Sequence, residues 1–80
     1  MTKEEQARQE QFRQIRGEMV KNGITNAQIA RDAQVSTVYV YYVLTGRRAG
    51  YRIRRAIAKA VHQPVEKLWP DTPPAYRRAA

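Results

Sequence analysis

Apolar residues recur along this chain at helical spacing. Phe12, Ile15 and Met19 stand among Arg and Gln at offsets of three and four, and Asn22 followed by Gly23 supplies a stop, because glycine takes positive φ without steric cost. A first helix is therefore expected from Lys3 to Asn22. Its turns before about Glu10 have little to bury. Gly17 costs on the order of 1 kcal/mol relative to Ala inside a helix, which makes it a candidate for a close backbone approach.

Thr25-Asn26-Ala27-Gln28 has the capping-box pattern, in which the Thr hydroxyl accepts from a first-turn amide and the Gln side chain reaches back. A second helix of about two turns starts there, with Ile29, Ala30 and Ala33 as a narrow stripe suited to close packing. Val35-Ser36 ends it and offers a new cap.

The run Val38-Tyr39-Val40-Tyr41-Tyr42-Val43 is all β-branched or aromatic, which on intrinsic propensity alone is a strand. Its flanks argue the other way. Ser36 is a helix start and Gly46 a stop, while Val40, Val43 and Leu44 at i, i+3 and i+4 make one buried helical stripe. A third helix from Thr37 to Thr45 follows, since packing overrides weak propensity.

Ile53, Ala56, Ile57, Ala60 and Val61 form the clearest amphipathic pattern of the chain, with Arg52, Arg55 and Lys59 along another face of a fourth helix. Pro64 suits the first position of a short fifth helix, with Gln63 as a weak cap, Glu66 in the first turn and an end at Trp69 before Pro70. Trp69 is expected to anchor the core. The fold class is all-α, with five helices in one domain over residues 1–70. From 71 to 80, Pro73 and Pro74 oppose regular structure, and a flexible basic tail is expected.

Charge adds direction to this scaffold. Fifteen Lys and Arg against seven Asp and Glu leave a net +8 with pI ≈ 10.5, which calls for a polyanionic partner. Residues 1–32 hold six basic and five acidic side chains, 33–62 hold six and none, and 63–80 hold three and two. Arg47, Arg48, Arg52, Arg54, Arg55 and Lys59 therefore act without a neighbouring acid in sequence.

Eighty residues allow one small core and exclude a multidomain enzyme. Cysteine is absent and His62 is the only His, which removes disulfides, Cys-based zinc sites and thiol chemistry. No acid–base pair or activated nucleophile assembles, so neither catalysis nor a cofactor or metal is expected. No stretch approaches the ~18 apolar residues of a membrane span, and no apolar run follows a basic start, so a cytoplasmic location without a membrane partner is expected.

The second and third helices are joined by about three residues, and Ala30, Val35, Val40 and Val43 have helix-turn-helix spacing. The small residue admits the third helix, the next fills the corner, and the last two pin that helix to the core. Through these positions, and through Gly23-Ile24-Thr25-Asn26-Ala27-Gln28-Ile29-Ala30, Val35-Ser36 and Gly46-Arg47, the chain resembles the lambda-repressor and Cro-type helix-turn-helix family over about residues 12 to 69. Arg55-Ala56-Ile57-Ala58-Lys59-Ala60-Val61 with Pro64-Val65-Glu66-Lys67-Leu68-Trp69-Pro70 is similar to the short phage Ner-like regulators. The resemblance implies a five-helix lambda-repressor-like DNA-binding domain that represses a phage or mobile-element operon, its own promoter included. Two positions depart from the family: it usually has Gly where Gln34 stands and often has Gly where His62 stands, which puts the geometry of those turns in question.

With the third helix in the major groove, the side chains opposite its buried stripe face the bases. These are Thr37, Val38, Tyr41, Tyr42 and Thr45, with Ser36 at the amino end, and the resemblance points to the same positions. Hydroxyls donate to or accept from base edges and Val38 packs on a thymine methyl; without Arg, Asn or Gln, the helix lacks the bidentate readings of guanine and adenine. Tyr39 is assigned to packing. The resemblance implies a phosphate contact for Asn26, with Gln28 assisting. Arg47 and Arg48 at the exit of the third helix and Arg52 at the start of the fourth complete the phosphate set, while Arg54, Arg55 and Lys59 are equally suited to solvent. The expected partner is double-stranded DNA carrying an inverted repeat, bound by a homodimer formed at least on DNA, with recognition helices ~34 Å apart.

Other readings share these features. An antitoxin-like protein that masks a partner and autoregulates keeps the DNA-binding half and co-purifies with a second protein. A non-specific RNA or single-strand binder uses the tyrosines as stacking platforms and binds single strands as well as duplex. An amphipathic membrane-surface protein explains the charge but not two capped short helices around a corner.

Overall fold

The computed structural model describes residues 2–77, all of whose regular structure is helical. The order is α1 (Lys3–Lys21), α2 (Asn26–Ala33), α3 (Thr37–Leu44), α4 (Tyr51–Ala60) and α5 (Val65–Leu68), followed by a 3-10 turn, Pro74–Tyr76. No helix among the described residues is long and apolar enough to cross a membrane.

The caps read from sequence at Thr25 and Ser36 are formed. Thr25 Oγ1 accepts from the Gln28 amide at 3.2 Å, while Gln28 Oε1 accepts from the Thr25 amide at 2.8 Å. Ser36 Oγ accepts from the Tyr39 amide at 3.1 Å and starts α3, so the β-branched and aromatic run is helical despite its propensity. Val40 and Val43 are fully buried there, and burial of that stripe decides the conformation.

α1 to α4 end on the same device. A left-handed residue (Gly23, Gln34, Gly46 or His62) lets the next amide reach back five residues, giving Ile24 N to Met19 O at 2.8 Å, Val35 N to Ala30 O at 3.0 Å, Arg47 N to Tyr42 O at 2.9 Å and Gln63 N to Ala58 O at 3.0 Å. Gln34 and His62, both at φ 59, thus take the backbone shape that glycine takes at the other two ends. The turns keep their geometry at the cost of a strained non-glycine residue.

α2 packs on α3 and α4, and α5 closes the other side against α4 and α1. Ile15, Met19, Ile29, Ala30, Val40, Val43, Leu44, Ile53, Ile57, Val61 and Trp69 share one core, with Phe12, Val35 and Tyr39 packed against it. Gly50 permits the sharp entry into α4: its φ is 46, and a Cβ there would collide with Val43 Cγ2.

Several expectations are corrected. α1 stops at Lys21, α3 at Leu44 and α5 at Leu68, where Asn22, Thr45 and Trp69 are caps, and Pro64 is the N-cap of α5 rather than its first residue, in place of Gln63. Gly17 admits no close approach, because nothing lies within 4 Å of a Cβ built on it. The buried face of α4 is rotated: Arg54 and Ala58 are buried, whereas Ala56 and Ala60 are only half-buried.

The reason is the C-terminal segment, which folds back on α4 instead of trailing as a flexible tail. Arg54 Nη1 donates to Asp71 Oδ1 at 3.2 Å and to Thr72 Oγ1 at 3.3 Å, and the guanidinium lies 5.1 Å from the Tyr51 ring and 5.6 Å from the Trp69 ring. Thr72 is fully buried and its hydroxyl donates to Trp69 O, while Tyr76 stacks on Tyr51 at 4.6 Å. The packed unit therefore continues past residue 70 to Arg77; Arg78, a cation of the expected tail, lies outside the described residues.

Candidate nucleic-acid interface

Burial of Val40, Val43 and Leu44 turns the opposite side of α3 to solvent. That side carries two rows of side chains, Thr37, Tyr41 and Thr45 at successive offsets of four, and Val38 with Tyr42 beside them. Thr37, Val38 and Tyr41 are exposed, whereas Tyr42 and Thr45 are half-buried. The two hydroxyls at the helix ends are not equivalent. Thr45 donates to Tyr41 O at 3.0 Å and keeps only acceptor capacity, while Ser36, an acceptor in its cap, keeps its proton for an outside partner.

Arginines border both long sides of this strip. On the side of Val38 and Tyr42, a shallow cleft of ≈ 360 Å³ is lined by Ser36, Val38, Tyr39, Tyr42 and Arg48, and the Arg47 guanidinium lies 5.6 Å from the Tyr42 ring. On the other side, Tyr41 meets the Phe12 ring edge-on at 6.2 Å, and the Arg16 guanidinium lies 5.9 Å from the same Phe12 ring. Arg16 and Thr37 line a common cleft of ≈ 470 Å³ with Asn26 and Ala27. Further along, Arg8 Cδ lies 3.6 Å from where a Gly46 Cβ would stand, at the end of α3.

The candidate residues from sequence do not all converge. Asn26 is half-buried in the first turn of α2 beside Thr37, and Gln28 is exposed with its amide oxygen used in the cap and its NH2 donors unused among the described residues. Arg47 and Arg48 are exposed beside the strip. Arg52 is exposed in the first turn of α4 but lines neither flanking cleft. Arg54 leaves the set of available cations because it is buried and paired with Asp71.

Arg8 and Arg16 are additions that sequence reasoning missed. The sequence carried only part of the signal: Arg8, Phe12 and Arg16 follow one another at offsets of four, but the packing of Phe12 against Tyr41 is tertiary. The even mixture of charges in α1 concealed that part. Compared with protein-family models, curated proteins and solved structures, the chain matches none.

Proposed function

We propose that this protein is a sequence-specific double-stranded DNA-binding regulator of transcription, a repressor that acts on its own operon. α2 and α3 serve as its helix-turn-helix, and α3 enters the major groove. The observation that carries this reading is the surface of α3: an uncharged strip of hydroxyl, methyl and tyrosine groups with arginines along both edges.

A major groove is bounded by phosphates and floored by base edges, so a reader needs cations at its margins and short neutral donors, acceptors and methyl groups at its centre. Ser36 and Thr37 supply hydroxyls, Val38 and Tyr41 apolar contact, and Arg8, Arg16, Arg47 and Arg48 phosphate partners. The start of α2 adds Asn26 and the free Gln28 NH2. The lambda-repressor-type resemblance assigns the same strip to the bases and Asn26 to a phosphate.

The backbone extends 34 × 26 × 22 Å, so two copies centred about one helical turn apart, ~34 Å, fit side by side on an inverted repeat when a shorter axis lies along the DNA. With ~0.9 of salt slope per neutralised phosphate, four or five contacts per copy make affinity fall steeply from low to physiological salt.

Fluorescence titration of duplexes with two classes of variant tests the assignment. Arg48→Ala is expected to weaken binding to every duplex and flatten the salt dependence, whereas Thr37→Ala is expected to lose about 1 to 2 kcal/mol of discrimination between sequences with little change in slope. Identical behaviour of the two variants would remove α3 from the groove.

A further inference from the structure

We propose that the cleft between α4 and the folded-back C-terminal segment is a second binding site, one for a phosphate-type oxyanion. The cleft, ≈ 250 Å³, is lined by Arg55, Lys59 and Arg77 over a floor that includes Ala58, Pro64 and Val65, and it shares no residue with either cleft flanking α3.

Three cations gather here and no acid lines the cleft. Among the described residues the ion pairs within 4.0 Å are Arg13–Glu10 and Arg54–Asp71, so Arg55, Lys59 and Arg77 line one cleft without an ion-pair partner among those residues. Gathering like charges opposes folding, and an entering anion reverses that cost.

The arrangement is also built. Arg77 Nε donates to Thr72 O at 2.8 Å, and Thr72 is fixed by full burial, by its hydroxyl bond to Trp69 O at 2.7 Å and by Arg54. With Nε engaged, the two terminal nitrogens of Arg77 remain as donors. Arg55 is half-buried, with its Nε shut off from solvent and without an acceptor among the described residues.

Phosphate matches this set better than carboxylate does. A phosphate ester offers up to three terminal oxygens and up to two charges to three cations, two of them planar forks suited to it. The volume admits that group together with part of what it is esterified to.

Titration of the full chain with inorganic pyrophosphate, at ionic strength held constant with chloride, tests the site through the arginine Nε–Hε signals in NMR. Saturable shifts at Arg55 and Arg77 are expected. Lys59→Gln and Arg55→Gln should each weaken pyrophosphate tenfold or more, and Arg31→Ala, an equal loss of charge elsewhere on the surface, should leave affinity unchanged. Non-saturating shifts, or equal losses in all three variants, would overturn the proposal. Lys59 is exposed, so its variant keeps the test valid should Arg55→Gln unfold.

A duplex titration of Lys59→Gln then identifies the source. Weaker duplex binding assigns the oxyanion to a nucleic-acid backbone, and unchanged binding assigns it to a small phosphate ester. Because pyrophosphate is the probe, the result is independent of whether α3 reads DNA.

Discussion

Helix α3 has no charged side chain, whereas α4, beginning at Tyr51, carries Arg52, Arg54, Arg55 and Lys59. Read along the chain, α4 looks like the cationic face and α3 like core. In space α3 presents the ordered surface strip, and its cations come from other elements: Arg8 and Arg16 of α1, and Arg47 and Arg48 of the following turn. The charges of α4 serve separate ends. Arg54 is internal, Arg55 and Lys59 face the C-terminal segment, and Arg52 is solvated in the first turn. Charge density in sequence is thus a poor guide to shared faces, because a helix distributes adjacent residues about 100° apart.

The junction between the two helices is the most sensitive point. Gly50→Ala forces a Cβ into Val43 and places a side chain at positive φ, so urea denaturation should show a loss of about 3 kcal/mol. A change below about 1 kcal/mol would mean that α3 and α4 are not held at the observed approach.

Next comes the division of labour within α4. Arg54→Ala removes a buried side chain packed on two aromatic rings and should cost about 2 kcal/mol of stability, while the folded variant keeps the duplex salt dependence of the parent. Asp71→Asn should cost no more than about 0.5 kcal/mol, because the Asp71 side chain is 71% exposed. A flattened salt dependence in Arg54→Ala would return this residue to the binding surface.

The α1 border is tested by Arg16→Ala, expected to reduce the salt slope of duplex binding by ~0.9 and to weaken binding by about 1 kcal/mol, the same effect expected of Arg47→Ala on the opposite border. If only Arg47→Ala has this effect, the strip is bordered by cations on one side alone.

The smallest effect concerns the helix ends. Gln34→Gly and His62→Gly relieve a left-handed non-glycine residue and should each raise stability by about 0.5 kcal/mol, the gain being limited by the greater freedom of the unfolded chain. Gly23→Ala, at φ 68, should act in the opposite direction.

Helix positions were legible in sequence because capping signals and apolar periodicity agree at Thr25, Ser36 and Gly46, even where the propensity of the Val and Tyr run pointed to a strand. Gln34 and His62 were readable as departures from a glycine pattern, but their acceptance of positive φ is a tertiary outcome. The folding back of the C-terminal segment was not legible. Pro70, Pro73 and Pro74 argued against regular structure, and nothing local pairs Asp71 with Arg54 seventeen residues earlier. With the segment folded back, Arg54 is buried against Thr72, Tyr51 and Trp69 and is no longer one of the free arginines. On the candidate surface, Thr37, Val38 and Tyr41 followed from the buried stripe, whereas Arg8 and Arg16 required knowing that Phe12 packs against Tyr41.

The central claim is that α3 reads sequence between cationic borders. Fluorescence anisotropy of a labelled duplex from immediately upstream of the gene, against a scrambled duplex of the same length, addresses it at physiological and at low salt. Preference for the upstream duplex by ~10³ or more at physiological salt, narrowing as salt is lowered, is the predicted result. Equal affinities that fall together with salt would contradict the account and leave a basic helical domain whose α3 strip reads no sequence.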